Sequence, residues 1–123
     1  NLPSRTSEMR PWGSYSVLHF RADSGLIKTL SVAPHKRLSL QRHQHRDEHW
    51  VVLEGVAEVQ LDEETLRLEQ GEYLHVPVGA WHRLINPSDR DNLLVAEIQV
   101  GRYESACAAE EDIERRVDDF GRA

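Results

Sequence analysis

Short runs of β-forming residues, each ended by a turn signal, fill this chain from Leu26 to Val100. The turns recur about every 8–12 residues, which suits an antiparallel sandwich or a closed barrel. LIKTLSVA (26–33) reads as a strand, and Pro34-His35-Lys36 as the turn that ends it. LSLQRHQH (38–45), if extended, sets Ser39, Gln41, His43 and His45 on one face. A turn at Arg46-Asp47 leads into EHWVVL (48–53), which Glu54-Gly55 closes. Further strands are expected at 56–61, 65–68, 73–76, 81–85 and 93–100. Helical periodicity enters only at ACAAEEDIERRV (106–117), with Gly121 placed as its stop. The expectation is an all-β barrel with one helical tail.

The 123 residues fit one domain, with 1–9 as an arm, 10–103 as the barrel and 104–123 as the tail. The chain holds no internal repeat, and no apolar run approaches the roughly 20 residues that cross a bilayer. Asn1 to Arg10 lacks the apolar stretch of a signal peptide, and the single cysteine, Cys107, allows no internal disulfide. A cytoplasmic protein without a membrane partner is expected. Net charge is −6, and Glu104, Glu110, Glu111, Asp112, Glu114, Asp118 and Asp119 crowd the C-terminal end. That balance argues against nucleic-acid binding, which needs a basic footprint. It leaves room for an anionic small molecule held by local arginines.

A lone His-x-His on a strand is more often a solvated pair than a metal site. Here His43 and His45 are followed by Glu48, and six residues later by Gly55. Further on, Gly71, Pro77, Gly79, His82 and Asn86 follow at short intervals. If the two segments are neighbours, three imidazoles and one carboxylate converge. That donor set suits one divalent ion, Zn, Mn, Co, Ni or Fe. With four donors, an octahedral ion keeps two open positions for two oxygens of a substrate. His19, His35 and His75 read as surface or packing residues, and His49 alternates away from Glu48. Trp50 and Val52 share the face of Glu48, whereas Trp12 and Trp81 read as core anchors.

HQHRDE with Gly55, and GEYLHVPVGAWHRLIN (71–86), resemble the two signatures of the cupin superfamily. The resemblance implies a double-stranded β-helix, a jelly-roll-like barrel. Longer strings are similar to one cupin family, the isomerase domain of type II phosphomannose isomerases. They are RPWGSY (10–15), LSLQRHQHRDEHWVVLEG (38–55), VPVGAWHRLINP (76–87), EIQVG (97–101) and EDIERRVDDFGR (111–122). The pattern departs at Pro34-His35, where the family has Pro-Gly, and in the extra ESACAAE after Tyr103.

The resemblance implies metal-dependent interconversion of mannose 6-phosphate and fructose 6-phosphate. By position, His43, His45, Glu48 and His82 would hold the metal, Gln41 and Arg46 would line the pocket, and Arg115 and Arg122 would form the active arginine segment. Such a reaction needs a base, either a hydroxide at the ion or Glu97, which shares a strand face with Gln99 toward the lumen. The phosphate needs cations, and Lys28, Arg46, Arg83, Arg115 and Arg122 are available. Arg115 and Arg116, side by side on a helix, would project about 100° apart. A sugar-binding cupin without turnover and an Fe(II) oxygenase are the alternatives, and a homodimer through strand edges is the expected assembly.

Overall fold

A computed structural model describes residues 7–122. The strands are β1 (Ser7–Arg10), β2 (Gly13–Arg21), β3 (Gly25–Val32), β4 (Leu40–Arg42), β5 (Arg46–Glu54), β6 (Ala57–Leu61), β7 (Glu64–Leu68), β8 (Tyr73–Val76), β9 (His82–Ile85), β10 (Leu93–Gly101) and β11 (Glu114–Val117). One helix, α1 (Ala106–Glu111), lies between β10 and β11. Two antiparallel sheets face each other, in the orders β1-β2-β3-β10-β5-β8 and β11-β4-β9-β6-β7.

Strand alternation explains both the core and the cavity. Leu30, Val95 and Val52 stand in register across β3, β10 and β5, all buried, and Val32 pairs with Leu93 beside them. With Val59, Val76 and Leu84 they fill one end of the space between the sheets. Two residues along the same strands, the inward positions become Lys28, Glu97 and Trp50, and two further on, Leu26, Gln99 and Glu48. One parity therefore builds an apolar floor and a polar, charged upper end.

The interior strands fall where the sequence places them. Three segments differ. No strand was expected before Leu26, yet β1 and β2 form a hairpin, Met9 opposite Ser14, and β2 then pairs with β3. Its residues alternate poorly, so the pattern gave no signal. β4 ends at Arg42, the chain bends at Gln44 and His45, and β5 already begins at Arg46. The turn thus lies before Arg46-Asp47 rather than on it. Gly101 permits this: a Cβ there would stand 2.3 Å from the His45 carbonyl oxygen.

The tail differs most. The helix is capped by the Ser105 hydroxyl, which accepts from the Ala108 N–H at 3.0 Å, and it ends after Glu111. Residues 114–117 are extended instead of helical, because β4 offers an open edge. Glu114 pairs with Arg42, and Arg115 with Gln41. Six helical residues alone are too short to persist, so tertiary pairing overrides propensity. Gly121 is not a helix stop but part of a turn, its N–H donating to the Asp118 carbonyl at 3.3 Å.

At the Pro34-His35 departure the fold keeps the turn and accepts the strain. Lys36 N–H closes it on the Ala33 carbonyl at 3.1 Å, with His35 at φ 60°. A side chain there costs about 1–2 kcal/mol, of which the extra chain entropy of glycine would return part. His35→Gly should raise the unfolding free energy by roughly 0.5–1 kcal/mol, read from the denaturant midpoint.

Candidate functional site

Glu48 is the centre of the site. It points inward from β5, is 2% exposed, and carries a charge that burial would expel unless paired. Four groups pair it. Arg46 Nε donates to Oε2 at 2.8 Å, and Trp50 Nε1 donates to Oε1 at 3.0 Å. The second flank of each oxygen faces an imidazole: His43 Nε2 lies 3.0 Å from Oε2, and His82 Nε2 lies 3.7 Å from Oε1. The Arg46 guanidinium and the two facing rings, whenever they carry charge, hold its pKa well below the carboxylate range despite burial.

Both imidazoles are oriented from behind. His43 Nδ1 lies 2.7 Å from the Asp112 carbonyl, and His82 Nδ1 lies 2.9 Å from the Ala80 carbonyl. A carbonyl only accepts, so each Nδ1 carries a proton, and the neutral form of each ring then has its lone pair on Nε2, the nitrogen on the Glu48 side. The three ligand atoms lie within 4.8 Å of one another. Bonds of about 2.0–2.2 Å to a common ion ask for only a small contraction of that set. Imidazoles held by carbonyls and a carboxylate held by its own donors are what a metal centre needs. The residues fit a divalent ion.

His45 does not join them. It was expected on the face of His43, but the strand ends at Arg42 and alternation ends with it. The bend turns the His45 side chain out to solvent. The inward position beyond the bend goes to Arg46, 6% exposed, whose Nη1 donates to the Ala109 carbonyl at 2.7 Å and whose Nη2 lies 3.2 Å from His43 Nε2. The converging set therefore has three protein donors, which leaves an ion more open positions than four donors would.

Above Glu48 a cavity opens between β3, β4, β10 and the tail. Its wall carries Arg10, Lys28, Arg46, Arg115 and Arg122 against Glu48, Glu97 and Glu110, together with Ser39 and Gln41. Gln41 turns its amide to Ser39 Oγ at 3.2 Å. Glu97 is 4% exposed and lies 3.7 Å from Lys28 Nζ. Burial, then the nearby Glu48 charge, raises its pKa against the opposing pull of Lys28 and Arg46. Arg122 is clamped to Asp118, Nε to Oδ2 at 2.8 Å. Arg115 differs from its neighbours, since its buried Nε has no hydrogen-bond partner among the described residues.

Other expectations need correction. Gln99 is not on the cavity wall. Its side-chain amide donates instead to Glu97 Oε2 at 2.7 Å. Arg83 is not an available cation, because it ties Leu38 O at 2.8 Å and Val117 O at 3.2 Å from outside the cavity. Arg115 and Arg116 are on a strand, so they leave on opposite faces. Arg115 reaches the cavity, whereas Arg116 lies 5.2 Å over the Trp81 ring. Trp81 is thus no core anchor but a plate between Arg116 and Arg42, the latter at 4.7 Å. His49 faces outward, as its alternation predicts, and stacks on His75. Arg10 and Glu110 were missed. The string RPWGSY held the signal for Arg10, but only the unread β1–β2 hairpin carries it to the cavity.

Burial pushes the His82 pKa down to about 4, partly offset by the Glu48 charge. An unfolded histidine protonates near 6.5, so between about pH 6.5 and 4 the unfolded chain binds a proton that folded His82 refuses. Chelator-treated protein should lose on the order of 3 kcal/mol of stability through this window as pH falls. His82→Gln should show a shallower loss in denaturant titrations across the same pH range.

Residues 3–119 match the family described as Mannose-6-phosphate isomerase C-terminal. The chain is 41% identical over 116 residues to the alginate biosynthesis protein AlgA of Pseudomonas aeruginosa, covering 92% of this chain and 22% of that protein. It is 41% identical over 113 residues to the xanthan biosynthesis protein XanB of Xanthomonas campestris, covering 92% and 23%. It is 38% identical over 113 residues to a mannose-1-phosphate guanylyltransferase of Escherichia coli, covering 92% and 22%. The chain thus spans less than a quarter of the length of these relatives. Among solved structures, KdgF of a Halomonas species superposes with TM-score 0.71 at 18% identity, covering 83% of this chain and 89% of that one. A cupin-2 domain of Rhodospirillum rubrum gives 0.72 at 16%, covering 89% and 82%. The fold is a cupin, and the chain belongs to the mannose-6-phosphate isomerase C-terminal family.

Proposed function

We propose that this chain is a metal-dependent aldose–ketose isomerase for a phosphorylated sugar, converting mannose 6-phosphate to fructose 6-phosphate. The observation that carries the reading is the charge of the cavity beside the three-donor cluster. Five cations on its wall face three carboxylates, with Arg122 further paired to Asp118, and Arg115 Nε is buried without a partner among the described residues. A phosphate monoester carries about −1.5 to −2 near neutral pH, and a wall with more cations than carboxylates suits it. Family membership supports the same chemistry.

Isomerisation takes a proton from C2 of the aldose and returns it to C1, while the hydroxyl proton passes from O2 to O1. In this reading Glu97 moves the carbon-bound proton, because its raised pKa suits a general base better than an ordinary surface carboxylate. Lys28, at 3.7 Å, steadies its charged form. His43, Glu48 and His82 would hold the divalent ion, which would supply Lewis-acid positive charge beside the reacting oxygens. Arg115 takes the phosphate or the developing oxyanion, and Arg122, paired to Asp118, borders it. Gln41 faces the sugar hydroxyls. The barrel wall of Trp12, Tyr15, Leu30 and Trp50 shields the reacting carbons from water.

Two sets of variants test the proposal. The protein incubated with Mn, Co, Ni, Fe or Zn should retain about one equivalent by elemental analysis. His43→Ala and His82→Ala should lose it, and His45→Ala should keep it. Metal-loaded protein should form fructose 6-phosphate from mannose 6-phosphate in a coupled assay, and chelation should stop it. Arg115→Ala should lower kcat/KM by roughly 30- to 1000-fold with metal content unchanged. Arg116→Ala should cost only its contact with Trp81, about 0.5–1 kcal/mol of stability, with turnover intact. Tight binding of phosphorylated aldoses without conversion would make the chain a binding module instead.

A further inference from the structure

Asp112 touches the His43 segment with both its backbone and its side chain. Its carbonyl lies 2.7 Å from His43 Nδ1. Its carboxylate accepts from the Gln44 N–H through Oδ1 and from the His45 N–H through Oδ2, each at 3.0 Å. The Tyr103 hydroxyl also donates to Oδ2. The backbone N–H of Asp112 caps α1 by donating to the Ala109 carbonyl, and Ala109 O also receives Arg46 Nη1.

The three-residue segment His43-Gln44-His45 has no regular pairing of its own, because β4 ends before it and β5 begins after it. Its free N–H groups are satisfied by the Asp112 carboxylate. That clamp fixes where the Asp112 carbonyl meets the His43 ring, and the ring has two choices. It can place its proton on Nδ1, donate to Asp112 O, and keep Nε2 as an acceptor, with the donor Arg46 Nη2 3.2 Å away. Otherwise it can place the proton on Nε2 and donate to Glu48 Oε2, which lies 3.0 Å away. The second choice ties the two donors to each other and hides both from an ion.

We infer that Asp112 is a positioning residue that selects the Nδ1–H form of His43 and so keeps its Nε2 available at the metal centre. The inference rests on His43 being a ligand in the proposed function, but the form of the ring is readable without any metal. The C-terminal segment then acts on the centre from behind, without touching an ion or a substrate.

The test uses long-range proton–nitrogen NMR of the chelator-treated chain, above the titration range of histidine. Wild type should show His43 protonated at Nδ1 alone. Asp112→Ala should move His43 toward the Nε2–H form, and zinc affinity, measured by chelator competition, should fall about 10- to 100-fold. Asp112→Asn keeps one acceptor and should give a smaller change of both readouts, which retains a test if the alanine variant unfolds. An unchanged His43 form in folded Asp112→Ala, or a wild-type His43 protonated at Nε2, overturns the inference. A wild-type chain with Nδ1–H at His43 that binds no zinc overturns the metal reading while the role of Asp112 stands.

Discussion

A buried negative charge governs this molecule. Glu48 lies inside a barrel whose other end is apolar, and a carboxylate there persists only with cations and donors placed around it. Arg46, Trp50, His43 and His82 meet that demand from three different parts of the chain. The demand spreads outward, because each partner needs a partner too. His82 leans on Ala80, while His43 and Arg46 lean on the C-terminal segment through Asp112 and Ala109. Removing one member strands the next, so the polar end of the barrel behaves as a single unit.

The sequence made the barrel legible where one face of a strand is apolar and the other polar. β3, β5, β6 and β10 have that alternation, and each lies within two residues of its expected bounds. Glu48 and His82 were legible for the same reason, since both sit inside strands or at their starts. His45 was not, because a one-residue change in where a strand ends reverses every side chain after it. The spacing of two between His45 and Glu48 was visible, but only the bend at Gln44 and His45 shows what it costs the pattern.

The tail was misread by the opposite mechanism. ACAAEEDIERRV is rich in helix formers, and local propensity carries no information about an open strand edge 72 residues away, where Glu114 meets Arg42. β4 supplies that edge, and Asp112 ends the helix by turning to the backbone of Gln44 and His45. The change from helix to strand alters the consequences for Arg115 and Arg116, which separate onto opposite faces instead of diverging by one helical step. Cavity residues such as Arg10 and Glu110 belong to segments whose place depends wholly on these pairings.

Lys28, Glu48, His82, Glu97 and Arg115 come from five strands spread over most of the chain, and β10 must insert between β3 and β5 to bring Lys28, Glu97 and Glu48 together. Few of these neighbours are local, so a large loop-closure entropy precedes any reward from them. Two of the three donors, His43 and Glu48, flank the start of β5, and His82 reaches them only once β9 has taken its place in the facing sheet. An ion that prefers the assembled set stabilises only the completed barrel, by an amount that grows with its free concentration. Metal supply in the surroundings would then regulate how long the folded chain survives, apart from any effect on turnover.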